Sequence, residues 1–325
     1  MDVFNDQISD QQLMEIMAAM NEEETTPEEL TFDEDLLSGG DSGEKSILTF
    51  NASVSNKKVI SDLQHTPFQI MASTQNFLTT KTINSYPVVK NPNLLLHMNY
   101  ITRVFNHNAI EANSKERLGL RQYAKLAERV GTKDILIHMP TNGVEVGHIP
   151  QGLKVINEEL VKKGLIVHLE IAAWTQEVIT CWNIRSKASE GKVEEYISEF
   201  IDNVMNTAHK LSKNGFKLVL DTAHLFALGA EADVQIKLFR KYKGLMKYAH
   251  LNGNVNNKLM SDSHTPIMNA NSKLHNWQQL CSCISKLGLI CVAEITKYGK
   301  EWSDWEKFAK EFNFELVPYH EAYSI

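Results

Sequence analysis

Six short apolar runs in this 325-residue chain end on a side chain that can bind a metal ion. They are Leu-Leu-Leu-His ending at His97, Ile-Leu-Ile-His at His138, Val-His-Leu-Glu at Glu170, Leu-Val-Leu-Asp at Asp221, Tyr-Ala-His at His250 and Val-Ala-Glu at Glu294. Three further candidates sit just beyond such runs: His224, in Asp-Thr-Ala-His, and the Asp-Ser-His pair Asp262 and His264. In extended backbone, residues i and i+2 point the same way, so Asp262 and His264 could grip one ion together. Imidazole nitrogen with carboxylate oxygen and no thiolate suits zinc, manganese or iron in an open catalytic site. Each residue alone has a plain structural explanation: a strand-end His is usually a satisfied rim residue, and Asp before Thr commonly caps a helix. The coincidence of nine carries the reading. His168 lies inside a strand run and is assigned a structural role.

Strand-like apolar runs span 47–50, 68–71, 94–97, 135–138, 165–170, 216–221, 246–251 and 289–294, and the last six carry these residues. Helical patterns alternate with the later runs, over 114–130, 153–163, 193–212, 232–242, 276–287 and 304–312, with weaker ones near 57–64 and 74–88. Strands alternating with helices imply a parallel sheet covered on both faces. Eight such units predict an α/β fold, a (β/α)8 TIM barrel, in which every strand opens its C-terminal end onto one face where active sites assemble. A doubly wound open sheet is the alternative, because periodicity does not report closure.

Composition divides the chain at about residue 45. Residues 1–45 hold 14 of the 40 acidic residues and one of the 33 Lys and Arg, so the rest of the chain carries 26 acids against 32 bases. A mildly basic body suits a phosphate-bearing partner despite the net charge of -7. The 1–45 segment is expected to be a disordered or partly helical acidic N-terminal extension, with Ser9 and Gln12 as a capping box before a short amphipathic helix over 10–20. It reads either as a solvated leader or as a docking peptide for a protein partner. Residues 46–325 are expected to form the barrel domain. Nothing approaches the 18 or so apolar residues of a membrane span. The N-terminal run lacks the basic-then-apolar order of a secretory signal. Cys181, Cys281, Cys283 and Cys291 form no disulfide-like framework. A cytoplasmic or nuclear, non-secreted protein is expected, cellular or virus- or phage-encoded, and monomeric by default.

Residues 46–325 resemble the endonuclease IV family of apurinic/apyrimidinic endonucleases, which belongs to the xylose-isomerase-like TIM barrels. The stretch Leu220-Asp221-Thr222-Ala223-His224-Leu225-Phe226-Ala227-Leu228-Gly229 is similar to that family's Leu-Asp-Thr-x-His signature. His250-Leu251-Asn252, Asp262-Ser263-His264 and the last-strand Glu294 follow the same pattern, and His97-Met98-Asn99-Tyr100 resembles its His-x-x-Tyr segment. The resemblance implies three zinc ions, with manganese or iron admissible at some sites. His97, His138 and Glu170 would hold the first; Glu170 as a bridge, with Asp221, His250 and Glu294, the second; His224, Asp262 and His264 the third. Tyr100 and Ile101 would wedge into double-stranded DNA at an abasic site. The chain departs from the family at Gly253 and Ser263, at Thr265-Pro266-Ile267-Met268, and in lacking a basic residue within Ser73-Thr74-Gln75-Asn76-Phe77. These positions bear on DNA contact and lesion range more than on metal binding.

The implied activity is base-excision repair: hydrolysis of the phosphodiester 5′ to an abasic nucleotide, leaving a 3′-hydroxyl. Glu170 would position the nucleophile and Glu294 would orient it. Two rival readings remain open. A sugar isomerase or epimerase on the same barrel also places Glu, Asp, His and Glu at strand ends, but for one or two metals, and has no need of His97, His138, His224, Asp262 and His264. A non-catalytic DNA-binding relative has no need of any of the nine.

Overall fold

The computed structural model describes residues 44–52, 57–72, 78–99, 103–140, 147–172, 192–254, 264–269, 272–294 and 302–320. Most of the acidic extension, with its expected helix over 10–20, lies outside these residues, as do Tyr100, Ile101, Asp262 and Ser263.

Strands and helices follow one another in the expected order. They are β1 (Ile47–Phe50), α1 (Val59–Asp62), β2 (Phe68–Met71), α2 (Thr80–Asn84), β3 (Leu94–His97), α3 (Lys115–Val130), β4 (Asp134–His138), α4 (Ile149–Glu159) and β5 (Ile166–Glu170). Then come α5 (Val193–Leu211), β6 (Phe216–Val219), α6 (Thr222–Ala227), α7 (Ala232–Tyr242), β7 (Tyr248–His250), α8 (Trp277–Ile284), β8 (Ile290–Ala293), α9 (Trp302–Phe312) and a two-residue β9 (Glu315–Leu316).

Strands β2 to β6 form one five-stranded sheet in sequence order, and β7, β8, β1 and β9 form a second. Every strand pair is parallel. Two seams join the sheets. Asn51 pairs with Gln69 between β1 and β2, and Leu218 with Met246 and Asp221 with His250 between β6 and β7. The Ala52 N–H donates to the Gln69 carbonyl at 2.8 Å across the first seam, and the His250 N–H to the Leu220 carbonyl at 3.0 Å across the second. Eight parallel strands therefore close on themselves, and the fold is a (β/α)8 barrel rather than an open sheet. The unanticipated β9 lies beside the start of β1, Ile47 opposite Glu315.

Closure gives the barrel two apolar layers. Leu95, Leu136, Val219 and Tyr248 form a small buried cluster of their own. Each stands two residues before a strand-end candidate, so by strand alternation this is the interior layer directly beneath the site. The opposite strand faces pack with the helices in the main core. Helix α3 shows how the local sequence builds that outer layer. The Ser114 hydroxyl caps its start by accepting from the Arg117 N–H at 3.2 Å. Leu120, Tyr123, Leu126, Ala127 and Val130 bury one face at three- and four-residue spacing. Gly131 ends it at φ 70°, where a Cβ would stand 2.4 Å from Lys90 Cα, so only glycine fits.

Candidate metal centre

Strand ends deliver the side chains. His97, His138 and Glu170 are the last residues of β3, β4 and β5, and His250 is the last of β7. Glu294 follows β8 by one residue. Asp221 stands between β6 and α6 and serves both readings that its sequence allows. Its Oδ1 caps α6, accepting from the Ala223 and His224 N–H groups at 2.6 and 3.2 Å, while Oδ2 accepts from the Asn252 amide at 2.7 Å. The cap in turn places His224 on the first turn of α6, facing the same mouth.

Donor atoms gather into three groups, within each of which they lie no more than 4.8 Å apart: His97, His138 and Glu170; Glu170, Asp221, His250 and Glu294; and Asp221, His224 and His264. Glu170 belongs to the first two groups and Asp221 to the last two, so the three form one chain. Eight of the nine candidates are thus brought together, and the ninth, Asp262, lies outside the described residues. The third group differs from expectation in including Asp221. Both carboxylate oxygens of that residue are used, one for the cap and one for the pocket.

Hydrogen bonds determine which ring nitrogen two of the imidazoles present. The His97 Nδ1–H donates to the Met98 carbonyl at 2.7 Å, and the His224 Nδ1–H to the Ile171 carbonyl at 2.9 Å. A neutral ring so tied has its lone pair on Nε2. Those Nε2 atoms lie 3.1 Å from His138 Nε2 and 3.4 Å from His264 Nε2. His138 Nε2 is also 2.8 Å from a Glu170 oxygen. Converging lone pairs and carboxylates in a buried pocket are what a cation requires.

The charges point the same way. Burial drives the His97 pKa down, helped by His138 alongside, to about 4. Burial pushes the Glu170 carboxyl up, but His138 and His250 outweigh it and hold the group well below its ordinary value. Asp221 is lowered likewise by His224 and His264 against its burial, and Glu294 by His250 against its own. Burial opposes a charge on His250, yet Glu170 and Glu294 carry its pKa well above the usual value. Three buried carboxylates held below their ordinary pKa converge on one pocket with the imidazoles, a surround suited to divalent cations.

Two amides that sequence reading assigned no role complete the walls. Gln69, fully buried on β2, donates from Nε2 to Glu294 Oε1 at 2.5 Å, and its Oε1 stands 2.9 Å from His250 Nε2. Asn252 holds Asp221 from its amide nitrogen and accepts from the Glu294 N–H at 2.8 Å. A glutamine inside the apolar run Phe-Gln-Ile-Met was the available signal, since strands covered on both faces are otherwise apolar. His168 stays apart from the pocket, its Nε2 2.7 Å from an Asp134 oxygen, in keeping with a structural part.

Comparison with solved structures adds the fold. Endonuclease IV from Thermus thermophilus superposes with a TM-score of 0.52 at 13% identity, covering 83% of this chain and 98% of that one. The barrel has the fold of endonuclease IV. AsfvAP, in the crystal structure of AsfvAP:AG, aligns with it at 12% identity over 83% of this chain and 97% of its own, with a TM-score of 0.50. The 3-keto-D-glucoside 4-epimerase YcjR from E. coli covers 83% of this chain and 100% of its own at 10% identity, with a TM-score of 0.49. At these identities the likeness to endonuclease IV is one of fold. No protein-family profile and no curated protein sequence matches the chain.

Proposed function

We propose that this protein is a metal-dependent phosphodiester hydrolase that incises double-stranded DNA 5′ to an abasic site and leaves a 3′-hydroxyl. The observation that carries the reading is the linked set of donor groups, chained through Glu170 and Asp221. A chain of groups able to take several cations suits a reaction in which negative charge is spread over attacking, transferred and leaving oxygens. Zinc is the first choice for the nitrogen-and-oxygen donor set, three ions per chain, with Asp262 completing the third site beside His224 and His264.

The bound ions would supply positive charge that acidifies water towards a pKa of about 7 and neutralises the phosphate. The chain's own residues then hold and orient the reactants. Glu170, between the first two groups, holds the nucleophile in line. Glu294, anchored through Oε1 by Gln69, has Oε2 in the pocket to orient it. His224 and His264 stand at the end of the pocket where the leaving oxygen would be held. Tyr100 and Ile101, the two residues after Asn99, would enter the duplex at the lesion, where the missing base lowers the cost of unstacking. The Asn99 N–H donates to the Tyr123 hydroxyl at 3.0 Å, which ties the base of that segment to α3.

The test is incision of a duplex holding one tetrahydrofuran abasic analogue, with metal content measured on the same sample. Incision that a chelator abolishes, with more than two metals per chain, is expected. Glu294→Gln should keep the fold, by circular dichroism, and lose more than about a hundredfold in incision rate. One metal per chain and no incision would instead favour a sugar isomerase built on Glu170, Asp221, His250 and Glu294. DNA binding without cleavage by the metal-loaded protein would favour a non-catalytic relative.

A further inference from the structure

Gln69 occupies a place that no ligand set requires. It is fully buried on β2, a strand that supplies none of the nine candidates, yet its side chain touches two of them at once. Amide nitrogen and oxygen are told apart by their partners, and here the partners leave one choice. Glu294 Oε1, 2.5 Å away, is a carboxylate oxygen and can only accept, so the amide nitrogen must face it. The amide oxygen then faces His250 Nε2 at 2.9 Å and can only accept in its turn. Nε2 of His250 must therefore carry a hydrogen. Nδ1 is the nitrogen left for the pocket, where it lies 2.8 Å from Glu170, 3.1 Å from Glu294 and 3.5 Å from Asp221. Reversing the amide would set oxygen against carboxylate on one side and leave the His250 hydrogen opposite an N–H on the other.

We propose that Gln69 is a positioning residue that accepts from His250 Nε2, so that the imidazole offers Nδ1 to a metal ion, and donates to Glu294, so that the carboxylate is held in the same frame. This rests on the reading of the centre as a metal site. The relay accounts for a polar side chain in a strand whose buried neighbours Phe68 and Ile70 are apolar. It also differs from the tie on His97 and His224, whose rings are oriented by backbone carbonyls and present Nε2. Among the described residues, the acceptor that faces His250 Nε2 is this side chain from another strand of the barrel. Residues that orient metal-binding imidazoles in this way typically change affinity by about ten- to a hundredfold when lost.

The test uses the full-length protein, stripped and reloaded with Co2+, and compares wild type with Gln69→Met and Gln69→Glu. Gln69→Met keeps the volume and removes both hydrogen bonds, while Gln69→Glu keeps an acceptor for His250 and loses the donor to Glu294. Wild type should show a slowly exchanging imidazole N–H of His250 in the proton NMR spectrum of the cobalt protein. Gln69→Met should lose that resonance to solvent exchange and bind its weakest Co2+ about ten- to a hundredfold less tightly by calorimetry. Gln69→Glu should retain the resonance, whatever its affinity. A protected His250 N–H and unchanged Co2+ affinity in Gln69→Met would overturn the proposal and leave the metal reading standing. Failure of wild type to bind Co2+ would remove both. Should Gln69→Met fold poorly, loss of the resonance in Gln69→Glu would by itself overturn the relay.

Discussion

At the scale of single residues, the barrel interior holds, among the described residues, two polar constellations with different work. The upper one is the candidate centre. The lower one gathers around Asp134, the first residue of β4, which is 2% exposed. Its carboxylate accepts from Lys247 at 2.5 Å and from the Tyr248 hydroxyl at 3.1 Å, and an oxygen lies 2.7 Å from His168 Nε2. Burial raises the Asp134 pKa, but His168 and Lys247 outweigh it and the net shift is downward. Its role is structural, because it ties three strands together beneath the apolar layer. Asp134→Ala strands the Tyr248 hydroxyl and the His168 ring without their shared partner. It should cost about 2–4 kcal/mol in urea unfolding while leaving metal content per folded chain unchanged. A drop in metal content with no loss of stability would instead make Asp134 part of the centre.

At the scale of elements, the helices are held to one another as well as to the barrel. Glu159, the last residue of α4, accepts from Arg121 at 2.7 and 2.9 Å and from Arg117 at 3.2 Å, both on α3, and from Lys163 at 3.3 Å. The Arg121 hydrogen bonds lead in holding its carboxyl at about 2, against the opposing effect of burial. The folded-state pKa lies below the unfolded one, so the unfolded chain binds the extra proton as pH falls. The stabilisation is thus complete above pH 4.5 and is lost as pH drops towards 2. Solvent reaches the pair through the partly exposed Arg121 and screens it to about 1 kcal/mol. Glu159→Gln should lower the unfolding free energy by that amount at pH 7, and the difference from wild type should shrink to nothing near pH 2. A difference that persists in that acid range would mean that lost packing, not charge, is responsible.

For the whole molecule, the strand ends of one closed barrel meet in a single pocket, so binding of metal there would be linked to folding. Ions that bind the folded barrel and not the unfolded chain stabilise it by about 4 kcal/mol at a thousandfold excess over Kd. For a domain of this size that is about 5–10 °C in Tm. Chelation should lower Tm by this amount, and readdition of Zn2+ should restore it. An unchanged Tm on removal of bound metal would show that the pocket carries its carboxylates without help. The buried charges argue otherwise, since Glu170 and Asp221 are fully buried beside one another's ligand groups.

Much of this was written locally. Leu-Leu-Leu-His, Ile-Leu-Ile-His and Leu-Asp-Thr-Ala-His each place a polar group at the end of a buried run, and the helical patterns between them marked the alternation. The observed α7, for one, has the bounds that its spacing predicts. Strand-end side chains are legible because an apolar run and the residue that stops it are neighbours in sequence. Closure was not legible: the bonds of Ala52 to Gln69 and His250 to Leu220 depend on the stagger of all eight strands, and periodicity within one strand carries no information about its neighbour's register. The same holds for Gln69, whose two partners lie 181 and 225 residues away, and for the second duty of Asp221. Sequence thus determined which groups could bind metal and roughly where each strand would release them. Only the closed barrel decided which of them share a carboxylate, which nitrogen His224 and His250 present and which amide holds them there, because those are distances between residues far apart along the chain.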